Sequence, residues 1–195
     1  VEAMEQSQAQ AAVYRHDMRH HLNAISSYLS AGKPAEAQEY IHRVQADVGS
    51  FTPTRYCENE LVNLLCSSFT GQARQAGVTL TIDARLPKSL PLSDTELCSL
   101  LSNGLENALR AAGQVTEGPR WVDLYCGVRR EKLLIEIKNP YAGAVPMENG
   151  MPVNHKAGHG FGCRSIAAIA QKWGGLCTFR AEEGAFSLQL AIPLA

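Results

Sequence analysis

An unbroken stretch of helix-compatible residues opens the chain, with neither proline nor glycine between Glu2 and Ala31. Gly32-Lys33-Pro34 then ends this stretch, and Pro34 suits the first turn of a second helix. Helices joined by so short a link run antiparallel, but a lone hairpin cannot cover both of its apolar faces. We therefore predict a helical hairpin over residues 1–52 that pairs with a second copy as a homodimeric four-helix bundle. The apolar stripe of the first helix has helical spacing and consists of Ala11, Tyr14, Met18, Leu22, Ile25 and Leu29.

Residues 56–195 follow a break at Pro53 and show mixed helical and strand patterns. A helix is expected over about 59–76, a strand over 78–82, and a long helix after the capping box Ser93-Asp94-Thr95-Glu96. Two alternating runs, WVDLYCGV and KLLIEIK, predict an antiparallel pair. Residues 141–157 lack periodicity and are expected to form a loop, followed by a short helix and a closing hairpin. This order predicts an α+β chain whose second domain is an α/β sandwich.

Composition narrows the function classes. The 195 residues carry a net charge of -1, so no basic field indicates nucleic acid as a partner. Six cysteines occur without a C-x-x-C pair, which favours buried thiols in a reducing cytoplasm over zinc ribbons or disulfides. No apolar run reaches the roughly 20 residues of a membrane span. The chain begins with Val1 instead of Met, and we expect it to be a fragment that lacks an upstream membrane sensor region.

The motif RHDMRHH lies on the first predicted helix. His16 lies roughly 200° around the helix from Tyr14, so it points away from the apolar stripe, and Asp17 follows it directly. A neutral, exposed imidazole beside a carboxylate is a possible nucleophile with an orienting group or base. A solvated polar face is the alternative, and zinc ligation by His16 and His20 is another, although no third ligand completes that site.

Asn103 and Asn107 lie one turn apart on the polar face of the helix after the capping box. Two carboxamide oxygens so placed can hold a hydrated Mg²⁺ that itself binds phosphates. Paired asparagines are also common on ordinary helix surfaces.

Gly158, Gly160 and Gly162 form a G-x-G-x-G run directly before a helix. Glycines permit close approach, and the positive end of a helix attracts phosphate. A flexible loop end is the alternative. No apolar strand precedes the run, which disfavours a Rossmann motif, and no Lys-Ser/Thr pair follows it, which excludes a P-loop.

Together RHDMRHH, LLSNGLENALRAA and GHGFG resemble the phosphoacceptor, N and G boxes of bacterial sensor histidine kinases. The resemblance spans nearly the whole chain and is nearest to the peptide-pheromone-sensing (Agr-type) branch, whose ATP-binding domain is of the GHKL (Bergerat) type. It implies that His16 accepts the γ-phosphoryl group, that Asp17 orients the imidazole or accepts its proton, and that Asn107 binds Mg²⁺ with help from Asn103. It further implies that the loop closing over the phosphates contains Gly158, His159, Gly160, Phe161 and Gly162.

Two departures from that family pattern stand out. IKNPYAG replaces the DxGxG box whose aspartate receives the adenine amino group. Asn139 is our candidate for this role, because its side-chain oxygen accepts the same hydrogen bond, though more weakly than a carboxylate does. His20 also stands where the branch often has asparagine, so the motif leaves open whether His16 or His20 is the acceptor.

The resemblance implies a protein histidine kinase that uses ATP and Mg²⁺ and passes its phosphoryl group to the receiver domain of a response regulator. It would be the cytoplasmic portion of a bacterial membrane receptor. Two other functions compete with this interpretation. One is a non-catalytic histidine phosphotransfer or docking module with a degenerate nucleotide domain, and the other is a GHKL-type ATPase or protein serine kinase.

Overall fold

A computed structural model describes residues 22–23, 25–44, 54–153, 161–182 and 184–194. The chain divides into two compact units. The smaller unit contains helical residues 25–30, a turn, and helix α1 (Pro34–Val44). Gly32 takes a φ of 69° at the turn, and the rings of Tyr28 and Tyr40 lie 6.0 Å apart. Most of the first predicted helix falls outside the described residues, so the hairpin over 1–52, the dimeric bundle and the boundary between the domains stay predictions.

The larger unit is a mixed sheet with helices packed against it. Its helices are α2 (Glu60–Gln75), α3 (Asp94–Gly113) and α4 (Phe161–Lys172). Its strands are β1 (Thr79–Arg85), β2 (Trp121–Arg129), β3 (Lys132–Pro140), β4 (Met147–Glu148), β5 (Met151–Pro152), β6 (Leu176–Glu182) and β7 (Ala185–Pro193). The five-stranded sheet has the order β1-β2-β3-β7-β6, in which only β1 and β2 run parallel. The α+β class predicted from the sequence is confirmed.

Side-chain caps fix where two of the helices begin. Asn59 caps α2 by accepting a hydrogen bond from the backbone N–H of Val62, at 3.0 Å. Ser93 caps α3 by accepting from the N–H of Glu96, and the Glu96 carboxylate accepts in return from the N–H of Ser93. These bonds satisfy backbone donors that a helix leaves unpaired in its first turn, and the second pair is the capping box expected from the sequence.

The core lies between the sheet and the helices. Alternate residues of β3 face the helices and are almost fully buried: Leu133, Ile135, Ile137 and Asn139. Helix α3 approaches this layer at Gly104, where an added Cβ would lie only 2.5 Å from the Cδ1 atom of Ile137. The glycine therefore allows a closer approach of helix and sheet than a side chain would permit.

Residues 141–153 are more regular than predicted. Strands β4 and β5 form a small hairpin whose two-residue turn, Asn149-Gly150, has φ angles of 51° and 75°. Asn-Gly is a strong signal for this type of turn, and the expectation of an unstructured loop overlooked it. Met147 and Met151 pack against the hydrophobic core, which anchors the hairpin.

Two further expectations concern cysteines and membrane spans. All six cysteines are described as free thiols, of which Cys66 and Cys126 are buried and the other four are half-buried. Within the described part of the chain, none of the helices combines the length and apolar character that a bilayer crossing requires.

Candidate functional site

The two asparagines of α3 and the last glycine of the G-x-G-x-G run come together in the structure. Gly162 lies in the first turn of α4, and a Cβ added to it would lie 3.3 Å from Asn103 Oδ1 and 3.3 Å from Asn107 Nδ2. A side chain at this position would crowd both amides, so glycine suits the close approach of the start of α4. Residues 59 positions apart in sequence thus form one polar site between α3 and α4.

Hydroxyl groups on the two helices orient the side chain of Asn103. Its Nδ2 donates to Ser99 Oγ at 3.0 Å, and the Ser99 hydroxyl shares a 3.2 Å hydrogen bond with the hydroxyl of Ser165 on α4. Because its nitrogen is engaged by Ser99, Asn103 presents its oxygen toward Gly162.

Both ends of the Asn107 amide have partners. Its Nδ2 donates to Cys163 Sγ at 3.5 Å, and its Oδ1 accepts from Arg110 Nη2 at 3.1 Å. Arg110 is a permanently charged donor near the outer edge of the site. The site therefore combines amide oxygens with one positive charge, a set of groups suited to phosphate and to a hard cation such as Mg²⁺.

A second cluster joins α3 and α4 at their other ends. Glu96 accepts hydrogen bonds from Lys172 Nζ at 2.6 Å and from Trp173 Nε1 at 3.2 Å, besides those from Ser93 in the capping box. The bond from Lys172, followed by those from Ser93 and Trp173, lowers the pKa of Glu96 to about 2. The cluster joins the start of α3 to the end of α4, as expected for two helices that pack antiparallel.

Asn139 lies on the helix-facing side of the sheet. It is 2% exposed and follows Ile137, the residue that contacts α3 at Gly104, on the same face of β3. Its Nδ2 donates to the carbonyl of Pro140 at 2.8 Å. The structure therefore shows Asn139 as a buried polar residue at the end of β3, and its assigned role toward adenine stays a prediction.

The phosphoacceptor motif and most of the glycine loop fall outside the described residues. This group comprises His16, Asp17, His20, Gly158, His159 and Gly160. Phe161 begins α4, but its side chain is likewise not described. Their assigned roles stay predictions.

The sequence did not lead us to four residues of the site, Ser99, Ser165, Arg110 and Cys163. Ser99 lies four residues before Asn103, and Arg110 lies three after Asn107, so helical spacing alone places them beside the amides. Cys163 carried no comparable signal, because its contact with Asn107 depends on how α4 docks against α3.

Comparisons with known proteins agree with this architecture. Residues 92–193 match the GHKL domain family, which covers α3, the polar site and most of the sheet. No curated protein sequence matches the chain significantly.

Solved structures of histidine kinases share the fold at low sequence identity. The nucleotide-free catalytic domain of the histidine kinase ThkA aligns with a TM-score of 0.54 at 17% identity, covering 69% of this chain and 90% of that one. The histidine kinase AdeS of Acinetobacter baumannii aligns with a TM-score of 0.52 at 12% identity, covering 92% and 98%. Full-length ShkA in complex with AMPPNP aligns with a TM-score of 0.54 at 17% identity, covering 98% and 46%. The family match spans more than half of the residues and includes the paired amides and Gly162, so the chain belongs to the GHKL family.

Proposed function

We propose that the chain is the catalytic core of a dimeric sensor histidine kinase. It would use ATP and Mg²⁺ to phosphorylate a histidine of its own dimer and then pass the phosphoryl group to an aspartate on a response regulator. The observation that carries this proposal is the meeting of Gly162 with Asn103 and Asn107 inside a GHKL domain. A glycine at that point leaves room for phosphates at the N-terminal end of α4.

The residues of the site fit a magnesium nucleotide. Asn107 would bind Mg²⁺ through Oδ1 with Asn103 assisting, and Arg110 would turn from Asn107 to a phosphate. The N-terminus of α4, which begins at Phe161, would face the phosphates together with the residues before it, Gly158, His159 and Gly160. Asn139 would accept a hydrogen bond from the adenine amino group. When bound, ATP would supply the phosphoryl group, and Mg²⁺ held by Asn107 and Asn103 would supply positive charge beside the phosphates.

A histidine is the acceptor that this chemistry favours. In related ATPases the position of Asn103 carries a glutamate that activates water, and an amide cannot act as that base. We therefore assign transfer to His16, whose ring nitrogen forms the new P–N bond as the bond between the γ-phosphorus and the ADP oxygen breaks. Asp17 orients the ring or accepts its proton. Phosphoryl transfer mainly requires positioning and charge neutralisation, which a hinge near residues 52–55 would provide by moving the ATP-binding domain toward His16.

The wider context follows from the same resemblance. RHDMRHH supports a place in the Agr-type branch, and with it a position on the cytoplasmic side of a membrane receptor. The predicted bundle supports a homodimer, in which a long first helix would carry rotation or bending from an upstream sensor.

The test is autophosphorylation. Incubation with Mg-ATP is expected to give an acid-labile, alkali-stable phosphoryl signal that His16→Gln abolishes and His20→Gln retains. A loss only in His20→Gln would move the acceptor to His20. An unchanged signal in both variants would reject histidine phosphorylation within this motif.

The replacement of the adenine-binding aspartate by Asn139 favours a second candidate, a non-catalytic phosphotransfer or docking module. Calorimetry separates the two functions. If the chain is a kinase, the wild type is expected to bind Mg-ATP and Asn107→Ala to lose that binding. If it is a docking module, neither the wild type nor Asn107→Ala would release or absorb heat on addition of Mg-ATP.

A further inference from the structure

The thiol of Cys163 contacts the side chain assigned to hold the metal. Asn107 Nδ2 donates to Cys163 Sγ at 3.5 Å, a normal length for a hydrogen bond to sulfur. Cys163 follows Gly162 in the first turn of α4 and is half-buried. Burial raises the pKa of this thiol, and the charge of Arg110 partly opposes that rise. Mg²⁺ prefers oxygen ligands, and the thiol is therefore not itself a ligand of this ion.

The contact determines which end of the Asn107 amide is available. A carboxamide has one donor end and one acceptor end, and only the oxygen can coordinate a cation. Arg110 favours the observed orientation because its guanidinium can only donate and must therefore face Oδ1. A cation at Oδ1 would replace Arg110, whose contact with Asn107 is exposed to solvent. The hydrogen bond from Nδ2 to Cys163 is then the contact that still holds the amide in its metal-binding orientation.

We propose that Cys163 is a positioning residue, which keeps Oδ1 of Asn107 directed at the metal by accepting a hydrogen bond from Nδ2. This inference rests on the proposed function, because it requires Mg²⁺ and nucleotide at the site. Outer contacts of this kind orient ligands at metal sites and tune their affinity. If Cys163 orients Asn107, its replacement should change how nucleotide binding depends on the Mg²⁺ concentration. A general loss of packing would instead weaken nucleotide binding with and without Mg²⁺.

The experiment measures binding of a non-hydrolysable ATP analogue by calorimetry, over a series of Mg²⁺ concentrations and in EDTA. Cys163→Ala and Cys163→Val both remove the acceptor, and the second also fills the space with an apolar side chain. Both are expected to raise the Mg²⁺ concentration for half-maximal binding about fivefold, the scale of one modest hydrogen bond, with little change in EDTA. Cys163→Ser keeps an acceptor and is expected to stay within about twofold of wild type.

The matched control is Cys98→Ala on α3. This half-buried thiol also makes a sulfur hydrogen bond, but its partner is Ser102, at 3.7 Å, instead of an asparagine of the site. Its Mg²⁺ dependence is expected to equal that of wild type.

A wild-type midpoint in both Cys163→Ala and Cys163→Val would overturn the positioning role and leave the proposed function intact. An equal loss of binding in EDTA would overturn it as well, since that pattern indicates packing. Absence of nucleotide binding in the wild type would refute both the proposed function and the positioning role of Cys163.

Discussion

Replacing Gly162 by alanine separates the stability of the fold from the function of the site. The new Cβ would lie 3.3 Å from Asn103 Oδ1 and from Asn107 Nδ2, and 3.4 Å from Asn103 Cβ. These contacts are tight but short of a clash, so the two amides would have to move by a few tenths of an ångström, which displaces the Asn107 oxygen that would hold the metal. Alanine also favours a helix over glycine by up to about 1 kcal/mol. Stability should therefore change little while affinity for Mg-nucleotide falls about tenfold, or about 1.4 kcal/mol.

The matched control for this prediction is Gly71→Ala in α2. Gly71 has no atom within 4 Å of an added Cβ, so this variant gains helix propensity without crowding any neighbour. We expect it to be about 0.5–1 kcal/mol more stable than wild type with unchanged nucleotide affinity. Urea denaturation and calorimetry with a magnesium ATP analogue measure the two quantities. Wild-type affinity in a folded Gly162→Ala protein would refute the claim that this glycine shapes the site.

Three further predictions concern the ends of the helices and the sheet. Ser93→Ala removes the cap of α3 and should lower the free energy of unfolding by about 1 kcal/mol, measured in urea. Because the pKa of Glu96 is lowered to about 2, its contribution to stability is present above pH 4.5 and is lost as the pH falls toward 2. The pH profile of the free energy of unfolding should therefore lack this loss in Glu96→Gln, and equal profiles for the two proteins would contradict the assignment. Asn139→Leu should weaken binding of ATP but leave binding of inorganic triphosphate unchanged, and an equal loss for both would remove Asn139 from adenine recognition.

The elements that the sequence predicted are those determined by local chemistry. The capping box at Ser93 and Glu96, the helix near 59–76 and the antiparallel strands β2 and β3 all depend on short-range periodicity and caps, and all are present. The association of Asn103 and Asn107 with Gly162 was expected only from the family resemblance. Hydrophobic spacing shows which face of α3 is polar, but it does not show which residue of α4 will face it.

Contacts that depend on docking between elements were not predictable in this way. Cys163 contacts Asn107, and Lys172 and Trp173 bind Glu96, because α3 and α4 pack antiparallel with one particular offset. That offset results from the summed packing of the core beneath both helices and has no signature in either segment. The β4–β5 hairpin is a different case, because its Asn-Gly turn is a local signal that the sequence contains and that our prediction of a loop overlooked.

The most direct test of the central claim is to map where nucleotide binds. In an ¹H–¹⁵N NMR titration with a magnesium ATP analogue, the side-chain amide signals of Asn103 and Asn107 and the backbone signals of Gly162 and Cys163 are expected to shift the most. Those signals should move back toward their free positions, without reaching them, when EDTA removes Mg²⁺ and leaves the analogue weakly bound. Shifts confined to residues outside α3 and the start of α4, with these four residues unmoved, would contradict the account.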